Sequence, residues 1–299
     1  MSNESILNTP RPKGKRNRER IEVKGNVYTF ISRYDMTFFK DEIIKLLYDI
    51  RVISTNQLLR IYGDRYSARW IRSVLQNLYE HSFVFRKFTL SNEKGSRDAM
   101  YFLDRIGALY LANELQTEFK NLKWSPADNA IGPDALKHTI DITEIRTALE
   151  EHSRKSGAEL RKFIGERRIG RIKFLKDDNE LEFNPDAEII LAYQGKLLLY
   201  LLEYDTGSES KSMIEDKIEK YEAFYSSKEF KDFYPIHPHI LIIGSDAART
   251  QRLKMWIDNK RRLTEMNYLF ANLGDVSRDS FGYIYDNYRA NEKINLISL

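Results

Sequence analysis

The chain contains no cysteine. That excludes disulfides, thiolate metal sites and a thiol nucleophile. Histidine is scarce, at 5 residues. His237-Pro238-His239 has a metal-like spacing, but without nearby cysteine it is a poor zinc signature. His138 reads as a structural residue near the start of a helix. Glycine (14) and proline (7) are sparse in 299 residues, and no glycine-rich phosphate loop is visible, so nucleotide hydrolysis is not expected. No apolar run approaches the roughly 18 residues that span a bilayer. The polar, basic N-terminus lacks the apolar segment of a secretory signal. The expectation is a cytoplasmic protein with no membrane partner.

What is present suits a folded protein with a sizeable core. Hydrophobic residues make up 42% and aromatics 12%, with 18 Tyr and 16 Phe, and the length allows about two domains. The net charge of +4 is unevenly spread. Residues 1–115 hold 20 Lys and Arg against 13 Asp and Glu, which leaves a slight acidic excess in the remainder. A basic front half and an acidic back half imply different partners.

Residues 1–36 read as a flexible basic arm, with seven basic and two acidic residues between Arg11 and Lys24. From Thr37 the periodicity is helical, with Phe38, Ile43, Ile44, Leu46, Leu47 and Ile50 on one apolar stripe. Ser54 or Thr55 caps a second helix that ends near Gly63. Ser67 precedes a third, in which Trp70, Ile71, Val74, Leu75 and Leu78 are spaced to pack inward. Two strands, Phe83–Leu90 and Ala99–Leu103, flank a polar loop and form a hairpin. A helix from Arg105 to Leu115 closes the segment. Three helices and a hairpin follow the order of a winged helix-turn-helix over residues 37–115. Arg65, Ser67, Arg69 and Arg72 at the third helix, with Lys94 and Arg97 at the wing tip, are its candidate contacts to double-stranded DNA.

Residues 116–135 read as a linker. A helix around His138–Lys155 then carries Glu144. Glu166-Arg167-Arg168-Ile169 reads as an edge strand or loop. Two apolar strands follow, Leu181–Leu191 and Lys196–Leu202, the second ending in Glu203-Tyr204-Asp205-Thr206-Gly207. Buried carboxylates must be paired, hydrated or metal-bound, and Glu203 and Asp205, two apart, share one face of a strand. With Asp186 from the neighbouring strand they could share one hard cation such as Mg²⁺. A helix over 211–225, a buried strand at 239–245, a basic helix from Ala247 to Leu263 and a late strand at 266–271 complete an α/β mixed-sheet domain over 136–299. The overall class is α+β. The basic run Arg249, Arg252, Lys254, Lys260, Arg261 and Arg262 reads as a solvated face.

The back half resembles the PD-(D/E)xK nuclease-like fold, with Pro185-Asp186 and Glu203-Tyr204-Asp205 at its two motif positions. Asp205 stands where that fold carries lysine, and Lys211 or Lys217 on the following helix could replace it. Over about residues 40–245 the chain resembles the replication-relaxation family of plasmid and mobile-element proteins. The resemblance rests on the winged-helix segment, the His138…Glu144 helix, Pro185-Asp186, and Glu203–Gly207 followed by Lys217-Ile218-Glu219-Lys220-Tyr221. It implies a DNA-handling role in replication or relaxation; the expected partners are double-stranded DNA and a second copy of the chain or other plasmid replication or transfer proteins. Catalytic candidates are Asp186, Glu203, Asp205 and Lys217. Metal candidates are Asp186, Glu203 and Glu144, for Mg²⁺. Three readings stay open: a non-catalytic DNA-binding protein, a Mg²⁺-dependent endonuclease, and a transcriptional regulator.

Overall fold

The computed structural model of the chain describes residues 20, 26–88, 98–258, 266–288 and 292–299. Most of the basic arm, the hairpin loop with Lys94 and Arg97, and Lys260, Arg261 and Arg262 lie outside these residues.

Helix α1 (Val27–Arg33) leads into α2 (Phe38–Ile50). The buried stripe of α2 begins at Phe39 and continues through Ile43, Ile44, Leu46, Leu47 and Ile50. Phe38, one residue off that stripe, is 75% exposed rather than packed. After β1 (Val52–Ser54), Ser54 caps α3 (Thr55–Tyr62) in a reciprocal capping box with Gln57. Ser67 caps α4 (Ala68–Glu80), its Oγ accepting from the Trp70 N–H at 3.3 Å. Ile71, Val74, Leu75 and Leu78 of α4 are buried as expected, but Trp70 is 38% exposed. It sits at the edge of the stripe, one helical step of 100° from Ile71. Strands β2 (Val84–Phe88) and β3 (Ala99–Leu103) pair antiparallel, and β3 also pairs with β1, giving the order β1-β3-β2. Helix α5 (Arg105–Glu114) follows.

Two 3₁₀ turns, Phe119–Asn121 and Pro126–Asn129, lead to α6 (Pro133–Ser156), a 24-residue helix. It starts several residues before His138 because Pro133 occupies its first turn, where the missing N–H costs nothing. The back half then contains β4 (Glu159–Gly165), the one-turn α7 (Glu166–Ile169), β5 (Ile172–Lys176), β6 (Asn179–Phe183), β7 (Ala187–Tyr193) and β8 (Lys196–Asp205). The tetrapeptide expected as a strand or loop is thus helical. The run expected as one strand from Leu181 is broken at Asn184-Pro185-Asp186, since Pro185 cannot donate to a ladder. Its first part pairs with β5 in a separate two-stranded sheet. Helices α8 (Lys211–Tyr225) and α9 (Phe230–Phe233), β9 (Pro238–Gly244), α10 (Ala247–Asp258), β10 (Asn267–Asn272), α11 (Leu273–Arg278), β11 (Tyr285–Asn287) and β12 (Lys293–Ile294) complete the described elements. None of the described helices is long and apolar enough to cross a membrane.

The main sheet is mixed, in the order β12-β11-β10-β9-β8-β7-β4, with β9 parallel to both β8 and β10. Side chains alternate across it with period two. From β8, Leu198, Tyr200, Leu202 and Tyr204 join the core shared with α6 and the front half. Leu199 and Leu201 face the opposite core under α8 and α10. Gln194 and Gly195 both have positive φ, the pattern of a two-residue hairpin turn. That turn sets Tyr193 opposite Lys196 and Ala187 opposite Leu202. One further step brings the Pro185-Asp186 end of β7 against Glu203.

Candidate functional site

The carboxylates gather where β7 begins and β8 ends. Glu203 is 6% exposed and points under α8. Ser210 caps that helix, and Lys217 and Tyr221, four residues apart, share its inward face. Lys217 Nζ donates to Glu203 Oε2 at 2.7 Å and to Glu209 Oε1 at 3.1 Å. The buried Tyr221 hydroxyl donates to Glu203 Oε1. Burial, reinforced by the charge of Asp186, pushes the Glu203 carboxyl up to about 7, against the pull of Lys217. Burial opposes the Lys217 ammonium, but Glu203, Asp186 and Glu209 more than compensate and hold its pKa above the ordinary value.

Asp186 is contacted from strand and helix together. The Tyr204 N–H donates to its Oδ2 at 2.7 Å. From α6, His138 Nε2 lies 3.5 Å from the same oxygen and 3.0 Å from the Tyr204 carbonyl. Burial works against the imidazolium, yet Asp186 and that carbonyl raise His138 to about 9. The ring is therefore a cation near neutrality, with Nε2–H facing two acceptors. One turn along α6, Asp141 accepts from the Tyr204 hydroxyl at 2.7 Å.

Asp205 faces α10. Arg249 Nη2 donates to its Oδ2 at 2.5 Å and to the Glu209 carbonyl at 2.6 Å. The Gly207 N–H reaches its Oδ1. Arg249 is only 4% exposed, and its guanidinium lies over the Trp256 ring at 4.8 Å. It therefore does not belong to a solvated basic face. Its spacing from the buried Leu253 and Ile257 by four and eight residues is the helical signal that marks it as inward. Arg252 is exposed, and Lys254 lies 3.5 Å from Asp286.

Thus Asp186, Glu203 and Lys217 come together, with Asp205 beside them in its own ion pair. Glu144 does not join. It accepts from Arg60 at 2.5 Å and Gln57 at 3.2 Å, tying α6 to α3. Lys211 is exposed and lies 3.7 Å from Glu215. Among the described residues, no three His, Asp or Glu side chains are grouped to hold a metal ion. Tyr221, His138 and Arg249 complete the cluster.

On the front half, Arg69 and Arg72, three residues apart, share one side of α4, and Arg65 stands in the turn before it. All three are exposed. Arg65 lies 3.6 Å from Glu42 and over the Tyr62 ring at 4.9 Å. Arg69 and Arg72 have no hydrogen-bond or ion-pair partner among the described residues.

A family model described as replication-relaxation matches residues 44–240. Among solved structures, the chain is similar to one titled as the structure of restriction endonuclease FokI, at 12% identity and a TM-score of 0.28. The similarity covers 80% of this chain but only 43% of that one, and it is too distant to bear on function. No curated protein matches the chain.

Proposed function

Since the chain belongs to the replication-relaxation family, we propose that it acts on DNA in replication of a plasmid or other mobile element, binding duplex DNA through a winged helix formed by α2–α4 and the β2–β3 hairpin. The observation that carries this reading is the pair Arg69 and Arg72. Most arginines of the described structure are engaged: Arg60 by Glu144 and Glu151, Arg154 by Asp64, Arg168 by Asp49, Arg249 by Asp205. Two guanidiniums in solvent on the exposed face of a recognition-type helix suit guanine edges or phosphates. In this reading the carboxylate cluster is a structural joint, holding β8 to α8, α10 and α6. Changing Arg69 and Arg72 together to Ala should weaken duplex binding by tenfold or more, at about 1–3 kcal/mol per good base contact. Unchanged affinity in a gel shift, with the circular dichroism spectrum intact, refutes it.

One observation favours a second reading, a Mg²⁺-dependent endonuclease using Asp186 and Glu203. Lys217 reaches Glu203 and so supplies the cation that the sequence lacks at Asp205. As arranged, though, the acids are already neutralised. Both Glu203 oxygens accept from Lys217 and Tyr221, and Asp186 Oδ2 accepts from the Tyr204 N–H beside a protonated His138. This donor set does not fit a divalent ion. Mg²⁺- or Mn²⁺-dependent plasmid nicking by the wild type, abolished in Asp186→Ala and Glu203→Ala, is the result that establishes the nuclease.

A further inference from the structure

The geometry points to Trp70 as a stacking platform for an unpaired DNA base, an inference that rests on the DNA-binding reading above and narrows its substrate to partly unpaired DNA. The indole is a large apolar ring in a position that α4 leaves in solvent. It stacks on Tyr66 at a centroid distance of 4.3 Å and 28°, and meets Phe39 at 4.9 Å. Tyr66 and Phe39 are themselves 4.6 Å apart. The three centroids form a nearly equilateral triangle, so the two supporting rings do not sandwich the indole. Had they sandwiched it, they would stand about twice as far from each other. The indole is therefore braced by two rings while it keeps 38% of its surface in solvent. Phe39 is buried in the core of α2, so the stack is anchored in the fold.

The charge around the ring selects the partner. Arg69 precedes Trp70 in α4 and Arg72 lies further round the helix, while Arg65 stands in the turn before it. The nearby acid Glu42 is already engaged by Arg65. An aromatic ring beside the unpaired Arg69 guanidinium matches a partner with flat rings joined by phosphates. Within a base-paired duplex the ring faces are covered by neighbouring pairs, and only base edges show in the grooves. A platform of this kind gains a partner only where a base is unstacked.

The test uses the full chain and two labelled DNAs: a fully paired duplex, and the same duplex with an internal stretch of mismatched thymines. Fluorescence anisotropy should show the wild type binding the mismatched DNA more tightly. Trp70→Ala should remove that preference, lowering affinity for the mismatched DNA by about tenfold, on the scale of one stacked base, while paired-duplex binding falls less than about twofold. Trp70→Phe keeps a ring and guards against misfolding of the alanine variant. In the wild type, oligothymidine should quench tryptophan emission, and that quenching should vanish in Trp70→Phe. Equal wild-type affinity for the two DNAs, or an equal loss on both in Trp70→Ala, overturns the platform while leaving duplex binding intact. Binding to neither DNA overturns both readings. Quenching that persists in Trp70→Phe also overturns the platform.

Discussion

Replacing Lys217 with methionine isolates the interaction that holds Glu203 in the fold. Methionine keeps most of the apolar stem and removes the ammonium. In the wild type Glu203 has two donors, Lys217 Nζ at 2.7 Å and the Tyr221 hydroxyl, and is almost fully buried. Its carboxyl is raised from 4.5 to about 7, with burial as the main cause. A carboxyl raised on folding favours the folded state while protonated. Its contribution is therefore fully present below pH 4.5 and is lost as the pH rises through about 7, a change of about 3 kcal/mol at ~1.36 kcal/mol per pH unit. Lys217 is the main group opposing that rise. Without it the carboxyl titrates higher still, so the variant's deficit must grow with pH. Removing one partner of a buried pair costs about 3–5 kcal/mol. The retained Tyr221 bond and the partial exposure of Lys217 bring the expectation to about 2–3 kcal/mol near pH 8. Near pH 5, where Glu203 is protonated in both proteins, the loss should be under about 1 kcal/mol. Urea unfolding at the two pH values measures both, provided the m-values agree. Adding Glu203→Gln to Lys217→Met should remove the part of the pH dependence that Glu203 contributes, since its titrating carboxyl is gone. Equal losses at both pH values would refute the ion-pair account.

Further expectations concern other parts of the molecule. His138, raised from 6.5 to about 9, stabilises the fold fully below pH 6.5 and loses that contribution as the pH rises through 9. Discounted for partial exposure this is about 2 kcal/mol, and His138→Gln should remove that part of the melting-temperature decline between those limits. Ser54→Ala breaks the capping box of α3 and should cost about 1 kcal/mol in chemical denaturation; no loss would mean that packing against α6 alone holds the helix. If the segment from Arg11 to Lys24 neutralises phosphates, deleting it should reduce the slope of log affinity against log salt by about 0.9 for each phosphate it had neutralised. An identical slope with and without it excludes such a role.

Much of the architecture is written in local pattern. The apolar stripes of α2, α4 and α8, the serines that cap α3, α4 and α8, and the continuous apolar runs of β8 and β9 follow from helical and strand periodicity and from capping chemistry. So does the pairing of Glu203 with Asp205 on one face, which needs only the two-residue repeat of a strand. The convergence of Asp186 with Glu203 is also legible there, because a short turn at Gln194-Gly195 fixes the register that opposes them. Tertiary packing decided the partners. Lys217 rather than Lys211 reaches the acids, because α8 buries the face that Lys217 shares with Tyr221. Arg249 answers Asp205, because β9 runs parallel to β8 and carries α10 over the same strand end. Glu144, expected with the acids, is drawn to Arg60 because α6 spans both halves and this part of it faces α3. Trp70 is exposed although its spacing allows burial, because Tyr66 and Phe39 already fill the space behind it. Periodicity states which face of an element is apolar, but the charges and rings that meet across elements depend on how those faces are assembled in three dimensions.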